Sequence, residues 1–251
     1  MLLKDIIKII ENEYPKNLAC SWDNVGLLAG NEENDIKTVL VTLDITPKVV
    51  DEAIKNGADL ILSHHPLLFG GVKSFCEDNE QMKMYTKIIR NNISVYSAHT
   101  NMDTAPNGIN QKLAELFSLS DIGILENETG LGRYGDIPEI SLNDFCEVVK
   151  KKLNTPFLKV SKNSDTIKRV AIGSGGCSDI IPNAIAVGAD VMITADIKYH
   201  IAIDSVTNGI SLIDAGHYPT EIIVMDMFKE LLKDTDLNII KSQNQDIFTV
   251  F

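Results

Sequence analysis

Five side chains of the kinds that bind metal ions stand at or shortly after the ends of apolar runs: His64, His65, Asp103, His217 and Glu221. Their imidazole and carboxylate donors suit Zn, Mn, Fe or Ni better than Ca or Mg alone. Five protein ligands are more than one catalytic zinc ion usually takes, so the surplus predicts two divalent metal ions per chain that share a carboxylate. Such a pair lowers the pKa of a bridging water and yields hydroxide near neutral pH.

The adjacent histidines His64 and His65 end the apolar run 60–63 and are followed by Pro66. Neighbouring side chains on a strand point to opposite faces, so both imidazoles can serve one site only where the strand ends and the backbone turns. Pro66 favours an extended residue before it and closes the strand. The alternative is one buried structural histidine beside an exposed one, and an isolated pair would favour that alternative.

The two carboxylates belong to later segments. His217 and Glu221 are four residues apart across a predicted helix start, with Pro219 in the first turn, so their side chains share one helix face. The alternative for this pair is a capping or ion-pair arrangement. Asp103 follows another strand, and we interpret it either as a carboxylate that bridges two ions or as an N-cap for the helix near Ile109.

The elements that must position these donors follow from the apolar periodicity. Apolar runs of strand length alternate with amphipathic helical stretches, which is typical of an α/β protein with mainly parallel pairing. We predict strands at residues 38–43, 60–63, 93–98, 169–172, 191–194 and 210–213, and helices at residues 2–14, 47–56, 79–91, 109–117, 142–153, 180–187, 199–207 and 220–232. Four of the five histidines then fall at or just past the carboxyl ends of strands, where open α/β sheets bind ligands.

The chain also repeats itself. Residues 37–65 and 168–196 both read as strand, turn, helix, Gly-Ala-Asp, strand and polar tip. Residues 93–103 and 210–221 then both read as an Ile-Ser-led strand ending in a histidine with an acidic residue four places later. The pattern favours duplication of a βαβ unit. It predicts two similar α/β domains with mixed, mainly parallel sheets flanked by helices, and a dinuclear metal site in the cleft between them.

Three other segments are less specific. The run Gly-Ser-Gly-Gly at 173–176 lies between a strand and a helix and suits either a phosphate cradle or a tight structural turn. The only tryptophan, Trp22, is expected to be buried beside an Asx turn, with a pocket-lining position as the alternative. Residues 126–138 carry three glycines without clear periodicity and are predicted to be a linker or crossover.

Charge, apolar runs and cysteine usage argue against several classes of protein. The formal net charge is −12, and the longest basic cluster is at residues 150–152, which argues against a nucleic-acid partner. No apolar run approaches the roughly 20 residues that span a bilayer, so no membrane association is expected. Residues 1–14 are interrupted by charges and do not resemble a signal peptide. Four scattered cysteines without a CxxC pair fit a cytoplasmic protein.

Four motifs carry a family resemblance: SWDNVGLLAG at 21–30, GADLILSHHPLLF at 57–69, SAHTNMD at 97–103 and LIDAGHYPTE at 212–221. They are spread along the chain, which resembles the Nif-three-like dinuclear metal proteins, commonly named GTP cyclohydrolase 1 type 2 homologs. This resemblance implies that the family's metal ligands fall on His64, His65, Asp103, His217 and Glu221, and all five residue types agree. His99 matches a family histidine near the metals, as a ligand or as a partner of one. Residues 198–200 read Lys-Tyr-His, where many members have two histidines.

The resemblance implies more about the assembly than about the reaction. It implies two α/β domains of similar topology and a ring-shaped homohexamer with the metal sites facing an inner cavity. We place the first domain at residues 1–125, completed by the C-terminal segment 222–251, and the second at residues 126–221. Longer members carry an extra central domain, for which this chain has no room.

Two functions follow from these patterns. The first is a metal-dependent hydrolase that acts through a metal-bound hydroxide on GTP or another nucleotide or phosphate-like substrate, with His99 or His200 moving protons. No purine pocket is recognisable in the sequence. The second is a non-catalytic metal-binding or regulatory protein, in which the ions hold a structure or a partner surface. A structural subunit without bound metal is disfavoured by the five-ligand set.

Overall fold

The chain divides into two α/β units, each built around one mixed sheet. The structure is a computed structural model that describes residues 1–243 and 245–249. The first unit comprises Met1–Met102 and Val224–Gln245, and the second comprises Asp103–Ile223 and Asp246–Phe251. Within the described residues, no helix combines the length and the apolarity that crossing a membrane requires.

The strands, in chain order, are β1 Gly26–Ala29, β2 Thr38–Thr42, β3 Leu60–Ser63, β4 Ser94–Ser97, β5 Ser120–Ile124, β6 Arg133–Ser141, β7 Lys159–Ser161, β8 Thr166–Ile172, β9 Val191–Thr194, β10 Ser211–Asp214 and β11 Asn238–Lys241. The α-helices are α1 Leu3–Glu13, α2 Pro47–Lys55, α3 Glu80–Arg90, α4 Thr100–Thr104, α5 Ile109–Leu116, α6 Leu142–Leu153, α7 Ile181–Ala186, α8 Tyr199–Thr207, α9 His217–Glu221 and α10 Val224–Leu231. Short 3-10 helices lie at Lys16–Leu18 and Ser178–Ile180.

The sheet of the first unit has the order β1-β4-β3-β2-β11. Its four neighbouring strands from β4 to β11 are parallel, and only β1 runs antiparallel to β4. The central strands are buried along their whole length, as expected for a parallel sheet covered on both faces. Alternate residues such as Leu40, Ile61 and Val95 pack into one apolar cluster with α2 and α3.

The sheet of the second unit has the order β5-β6-β8-β9-β10-β7. The pairings of β8 with β9 and of β9 with β10 are parallel, and the pairings of β5, β6 and β7 are antiparallel. Ala171, Met192 and Leu212 from the three central strands pack with Ile181 and Ala184 of α7. The predicted α/β class with mixed sheets and flanking helices is confirmed.

The predicted internal repeat has a counterpart in the bonding of the two sheets. In the first unit, Asp59 Oδ2 accepts hydrogen bonds from the backbone N–H groups of Lys37 at 2.8 Å and Thr38 at 2.9 Å. In the second unit, Asp190 Oδ2 accepts from Lys168 and Arg169, both at 2.8 Å. The aspartate of each Gly-Ala-Asp segment therefore holds the backbone just before parallel pairing with the next strand begins, at Val39 in β2 and at Val170 in β8.

The prediction for residues 126–138 is wrong in its second half. Residues 133–138 belong to β6, which pairs with β5 on one side and β8 on the other. The strand lacks a clear period because its register shifts twice, once against each neighbour, so that no single alternation runs through it. Its start is held by the buried guanidinium of Arg133, which donates to the carbonyl oxygens of Gly130, Gly132 and Ala105.

Candidate functional site

His64 and His65 follow directly after β3, at the carboxyl edge of the first unit's sheet. Their backbone N–H groups donate to Thr42 O at 3.2 Å and to Leu43 O at 3.0 Å, so pairing with the β2 segment continues past the end of the strand. Ser63 Oγ donates to His65 O at 2.8 Å and fixes the turn of the backbone. The two imidazole rings consequently lie close together, with their centroids 5.2 Å apart.

One nitrogen of each of these rings faces an oxygen atom. His64 Nδ1 lies 2.8 Å from Ala98 O, and His65 Nδ1 lies 2.7 Å from Asp44 Oδ1. An imidazole beside a carbonyl or carboxylate oxygen donates from that nitrogen, so the neutral ring carries its proton on Nδ1 and its lone pair on Nε2. Both rings are therefore oriented as metal ligands usually are, with Nδ1 bonded to an oxygen of the protein.

His99 follows β4 and is oriented by a buried carboxylate. Its Nδ1 atom lies 3.0 Å from both oxygens of Asp23, whose side chain is fully buried. Asp23 Oδ2 also accepts from the backbone N–H and the hydroxyl of Thr100, at 3.0 and 2.5 Å. Burial by itself raises the pKa of Asp23, but the hydrogen bonds from His99 and Thr100 outweigh it and hold that pKa well below its usual range. The carboxylate therefore stays ionised and fixes the His99 ring.

His64, His65 and His99 form one cluster, which we call the imidazole cluster. Their ring centroids are 5.1 to 5.5 Å apart, and one ring nitrogen of each lies within 4.8 Å of the others. Because Nδ1 of every ring is already hydrogen bonded, Nε2 is the atom that each ring can offer to an ion. Three neutral imidazole nitrogens at this spacing fit a borderline cation such as Zn²⁺.

In the second unit, His217 and Glu221 form a histidine–carboxylate pair on α9. His217 Nε2 lies 2.9 Å from Glu221 Oε2, across one helical turn. His217 Nδ1 lies 2.7 Å from Asp196 Oδ2, just past the end of β9. Asp196 adopts a φ of 56°, in the left-handed region. This conformation is strained for any residue other than glycine, and such strained residues are common at functional sites. The imidazole is thus held between two carboxylates.

The backbone of Gly175 lies against this pair. A Cβ atom at Gly175 would stand 2.0 Å from Glu221 Oε1 and 3.0 Å from His217 Nε2, and its φ is +57°. Both the close approach and the backbone angle require glycine. Gly175 N donates to Thr220 Oγ1 at 3.0 Å, which ties the loop to α9.

The loop at 173–176 is a tight structural turn rather than an open phosphate cradle. Three of its four N–H groups have acceptors inside the protein: Gly173 N donates to Ile193 O, Ser174 N to Asn110 Oδ1 and Gly175 N to Thr220 Oγ1. Backbone donors that are bonded inside the protein are not available for an anion. The loop therefore packs its backbone closely against the pair on α9 and is held there by the bond from Gly175 N to Thr220.

Asp103 lies in α4, the short helix that follows β4 and His99. The residue is buried, and its carbonyl oxygen accepts a hydrogen bond from Asn110 Nδ2 at 3.0 Å. The N-cap alternative is not observed, because α5 is capped by Gly108. A buried carboxylate on a helix that starts directly at a strand end is in a position typical of a ligand rather than of a solvated surface charge.

The structure gathers four of the five predicted donors into two groups within the units: His64 and His65 in the imidazole cluster, and His217 and Glu221 in the pair on α9. His200 is exposed at the start of α8. Three orienting carboxylates were missed by the sequence reasoning: Asp23, Asp44 and Asp196. The available signal was their position, since Asp44 and Asp196 both follow strands at the same edge as the histidines.

The expectation of a buried Trp22 is wrong. Trp22 is 64% exposed, although the neighbouring Asp23 side chain is fully buried. The Asp23 carboxylate points inward to His99, and the ring of the preceding residue, Trp22, points outward.

Comparison with known proteins places this fold and these residues in one family. A family model described as Duf34/NIF3 (NGG1p interacting factor 3) matches residues 1–247. Proteins named GTP cyclohydrolase 1 type 2 homolog from Clostridium perfringens and Methanocaldococcus jannaschii are 35% and 38% identical, over 97% and 96% of this chain and 97% and 98% of their own lengths. The crystal structure of a Bacillus cereus protein related to NIF3 has a TM-score of 0.92 at 26% identity, covering 100% of this chain and 99% of that one. This chain therefore belongs to the Duf34/NIF3 family.

Proposed function

We propose that this chain binds two divalent metal ions through His64, His65, Asp103, His217 and Glu221, and that it hydrolyses a nucleotide or phosphate-bearing substrate. The imidazole cluster carries the proposal, because three rings oriented through Nδ1 each bring one ring nitrogen within 4.8 Å of the others. Purely structural histidines have no need of such convergence. The same geometry supports His99 as a further donor.

The donor chemistry of both units fits this proposal. Oxygen acceptors on Nδ1 of His64, His65 and His217 orient the rings and raise their basicity as ligands. When bound, divalent ions supply a nucleophile from water near neutral pH and stabilise developing negative charge. The chain's own residues hold the rings in one tautomer and keep buried carboxylates beside them. The nucleotide substrate class is supported by the names of the two bacterial and archaeal relatives.

The test combines metal analysis with turnover. Protein purified without chelators is expected to contain two divalent ions per chain by elemental analysis. Reloaded with Zn²⁺, Mn²⁺, Fe²⁺ or Ni²⁺ in turn, it is expected to hydrolyse a member of a panel of nucleotides and phosphate esters that includes GTP. Asp103→Ala is expected to abolish this turnover while the circular dichroism spectrum is preserved. Asp165→Ala removes an exposed carboxylate that pairs with Lys162, and serves as the matched control.

If the fully metal-loaded protein turned over no member of the panel, the hydrolase hypothesis would be wrong and the non-catalytic metal-binding or regulatory protein would be favoured. If the protein bound no ions, both hypotheses would be wrong. The homohexamer and the cytoplasmic location are part of the same proposal, and light scattering should find six chains per particle. The domain limits predicted at residues 125 and 221 likewise stay a prediction, for which limited proteolysis is the measurement.

A further inference from the structure

Two large aromatic side chains stand exposed beside the imidazole cluster. The ring centroids of Trp22 and Phe69 lie 6.0 and 5.8 Å from that of His99, at interplanar angles of 75° and 80°. Trp22 is 64% exposed and Phe69 59% exposed. Exposed rings of this size leave apolar surface in water, and adjacent ones on the rim of a polar cluster are typical of a binding surface.

The loops that carry these rings are held by hydrogen bonds. Asn24 Nδ2 donates to Leu68 O at 2.7 Å, which joins the segment of Trp22 to the segment of Phe69. Tyr85 Oη donates to Leu67 O at 3.2 Å and ties the same segment to α3. The rings are therefore exposed on constrained backbones, so a ligand that contacts them need not order the loops first.

Phe69 also borders a cavity. The cavity has a volume of about 560 Å³ and is lined by residues 67–85, among them Phe69, Val72, Met82 and Tyr85. Lys73 and Asp78 are the charged side chains among its lining residues in the described part of the chain. Small-molecule sites commonly have volumes of about 300–1,000 Å³ and combine apolar walls with few polar groups. The ring of Phe69 thus borders both the imidazole cluster and a cavity of a size that suits a ring-bearing ligand.

We infer that Trp22 and Phe69 bind a planar heteroaromatic ring of the substrate, a nucleobase, by stacking beside the imidazole cluster. Nucleobases stack on aromatic side chains whatever their hydrogen-bonding pattern, because every base has a π-face. The inference rests on the proposed function, which it deepens by naming the part of the substrate that the protein recognises. It also supplies the base-binding feature that the sequence alone does not reveal.

The single tryptophan makes the test direct. Trp22 is the only tryptophan in the chain, so the intrinsic emission at its wavelength reports this position alone. Metal-loaded protein is titrated with GTP and, separately, with inorganic tripolyphosphate, which carries the same phosphate chain without a ring. Saturable quenching is expected with GTP and not with tripolyphosphate.

The variant series separates the ring from the phosphates. Phe69→Ala is expected to weaken GTP binding about tenfold, the size of one lost stacking contact, and to leave tripolyphosphate affinity and metal content unchanged. Phe75→Ala is the matched control, since Phe75 is 55% exposed on the same segment but does not line the cavity. Binding of both anions is measured by calorimetry, which does not depend on Trp22.

The outcomes distinguish this inference from the proposed function. Equal affinities for GTP and tripolyphosphate, with no effect of Phe69→Ala, would overturn the stacking site even where turnover is observed. Quenching by GTP that Phe69→Ala weakens would support it even if no hydrolysis is found. Loss of the native oligomer in Phe69→Ala or Trp22→Phe, without a specific loss of GTP affinity, would assign the two rings to contact between chains and also overturn it.

Discussion

At the scale of single residues, the candidate donors share one detail of bonding. Nδ1 of His64, His65 and His217 each faces an oxygen, supplied by Ala98, Asp44 and Asp196 respectively. The oxygen that faces Nδ1 matters to a histidine ligand as much as the ring does, because it sets the tautomer and the ring orientation. Two of these three acceptors are side chains that substitution can remove.

Asp44→Ala should weaken divalent metal binding by about 10–100-fold, the usual cost of removing such a partner of a ligating histidine. Without Asp44, the ring of His65 loses the acceptor that lies 2.7 Å from its Nδ1. The measurement is calorimetric titration of chelator-treated protein with Zn²⁺. Asp51→Ala, which removes an exposed α2 carboxylate paired with Lys87 of α3, is the control. Indistinguishable affinities of the two variants would contradict the role of Asp44.

Gly175→Ala should reduce both stability and metal affinity. The new methyl group would stand 2.0 Å from Glu221 Oε1, so the carboxylate must move away from His217. Gly188→Ala is the matched control, because Gly188 also has a positive φ, of +71°, but no atom within 4 Å of an added Cβ. Both variants carry the backbone strain of about 1 kcal/mol, measured by urea unfolding. If Gly188→Ala weakened metal binding as much as Gly175→Ala did, displacement of Glu221 would not be the cause.

At the scale of elements, the same aspartate–backbone hydrogen bonds occur in both units, beside the strand pairs that position the candidate donors. Asp59 and Asp190 each accept hydrogen bonds from two backbone N–H groups that directly precede the first parallel pair of β2 with β3 and of β8 with β9. The hydrogen bonds fix where the pairing of each strand with its neighbour begins. Register matters here because a slip of one residue would turn every side chain of a strand to the other face.

Asp59→Ala and Asp190→Ala should destabilise the protein by similar amounts, about 1–3 kcal/mol each, because each removes hydrogen bonds to a charged group. Chemical denaturation of each variant measures the change in the free energy of unfolding. Asp226→Ala, which removes an exposed carboxylate paired with Lys241, provides the baseline for a surface charge. A large effect at one aspartate and none at the other would contradict the equivalence of the two positions.

At the scale of the whole molecule, metal binding and folding should be linked. A ligand at about 100 times its dissociation constant stabilises the native state by about 2.7 kcal/mol. For a chain of this length the midpoint of thermal unfolding should rise by about 5–10 °C with metal, and a chelator should reverse the rise. Differential scanning calorimetry is the measurement.

Glu221→Ala should lose most of this metal-dependent rise, because it removes a buried donor of the proposed set. Glu230→Ala should keep it, since Glu230 is an exposed carboxylate paired with Lys233. An equal rise in both variants would show that the stabilising ions bind elsewhere.

The sequence by itself determined the central elements and the candidate donors. The core strands β2, β3, β4, β8, β9 and β10 were predicted within a few residues, because strands buried on both faces need continuous apolar runs, which are visible locally. The strands that were not predicted are β1, β5, β6, β7 and β11. Four of these are sheet edges, where partial exposure removes the apolar pattern, and β6 is interrupted by shifts in register.

Only the tertiary structure decided which groups orient the donors. Asp44 meets His65 across 21 residues and Asp23 meets His99 across 76, so neither pairing leaves a local signal in the chain. The exposure of Trp22 and the approach of Gly175 to Glu221 are likewise set by packing between distant segments. Residue type and local periodicity can be read from short stretches of sequence. Hydrogen-bond partners and exposed surfaces depend on where the folded chain brings those stretches together.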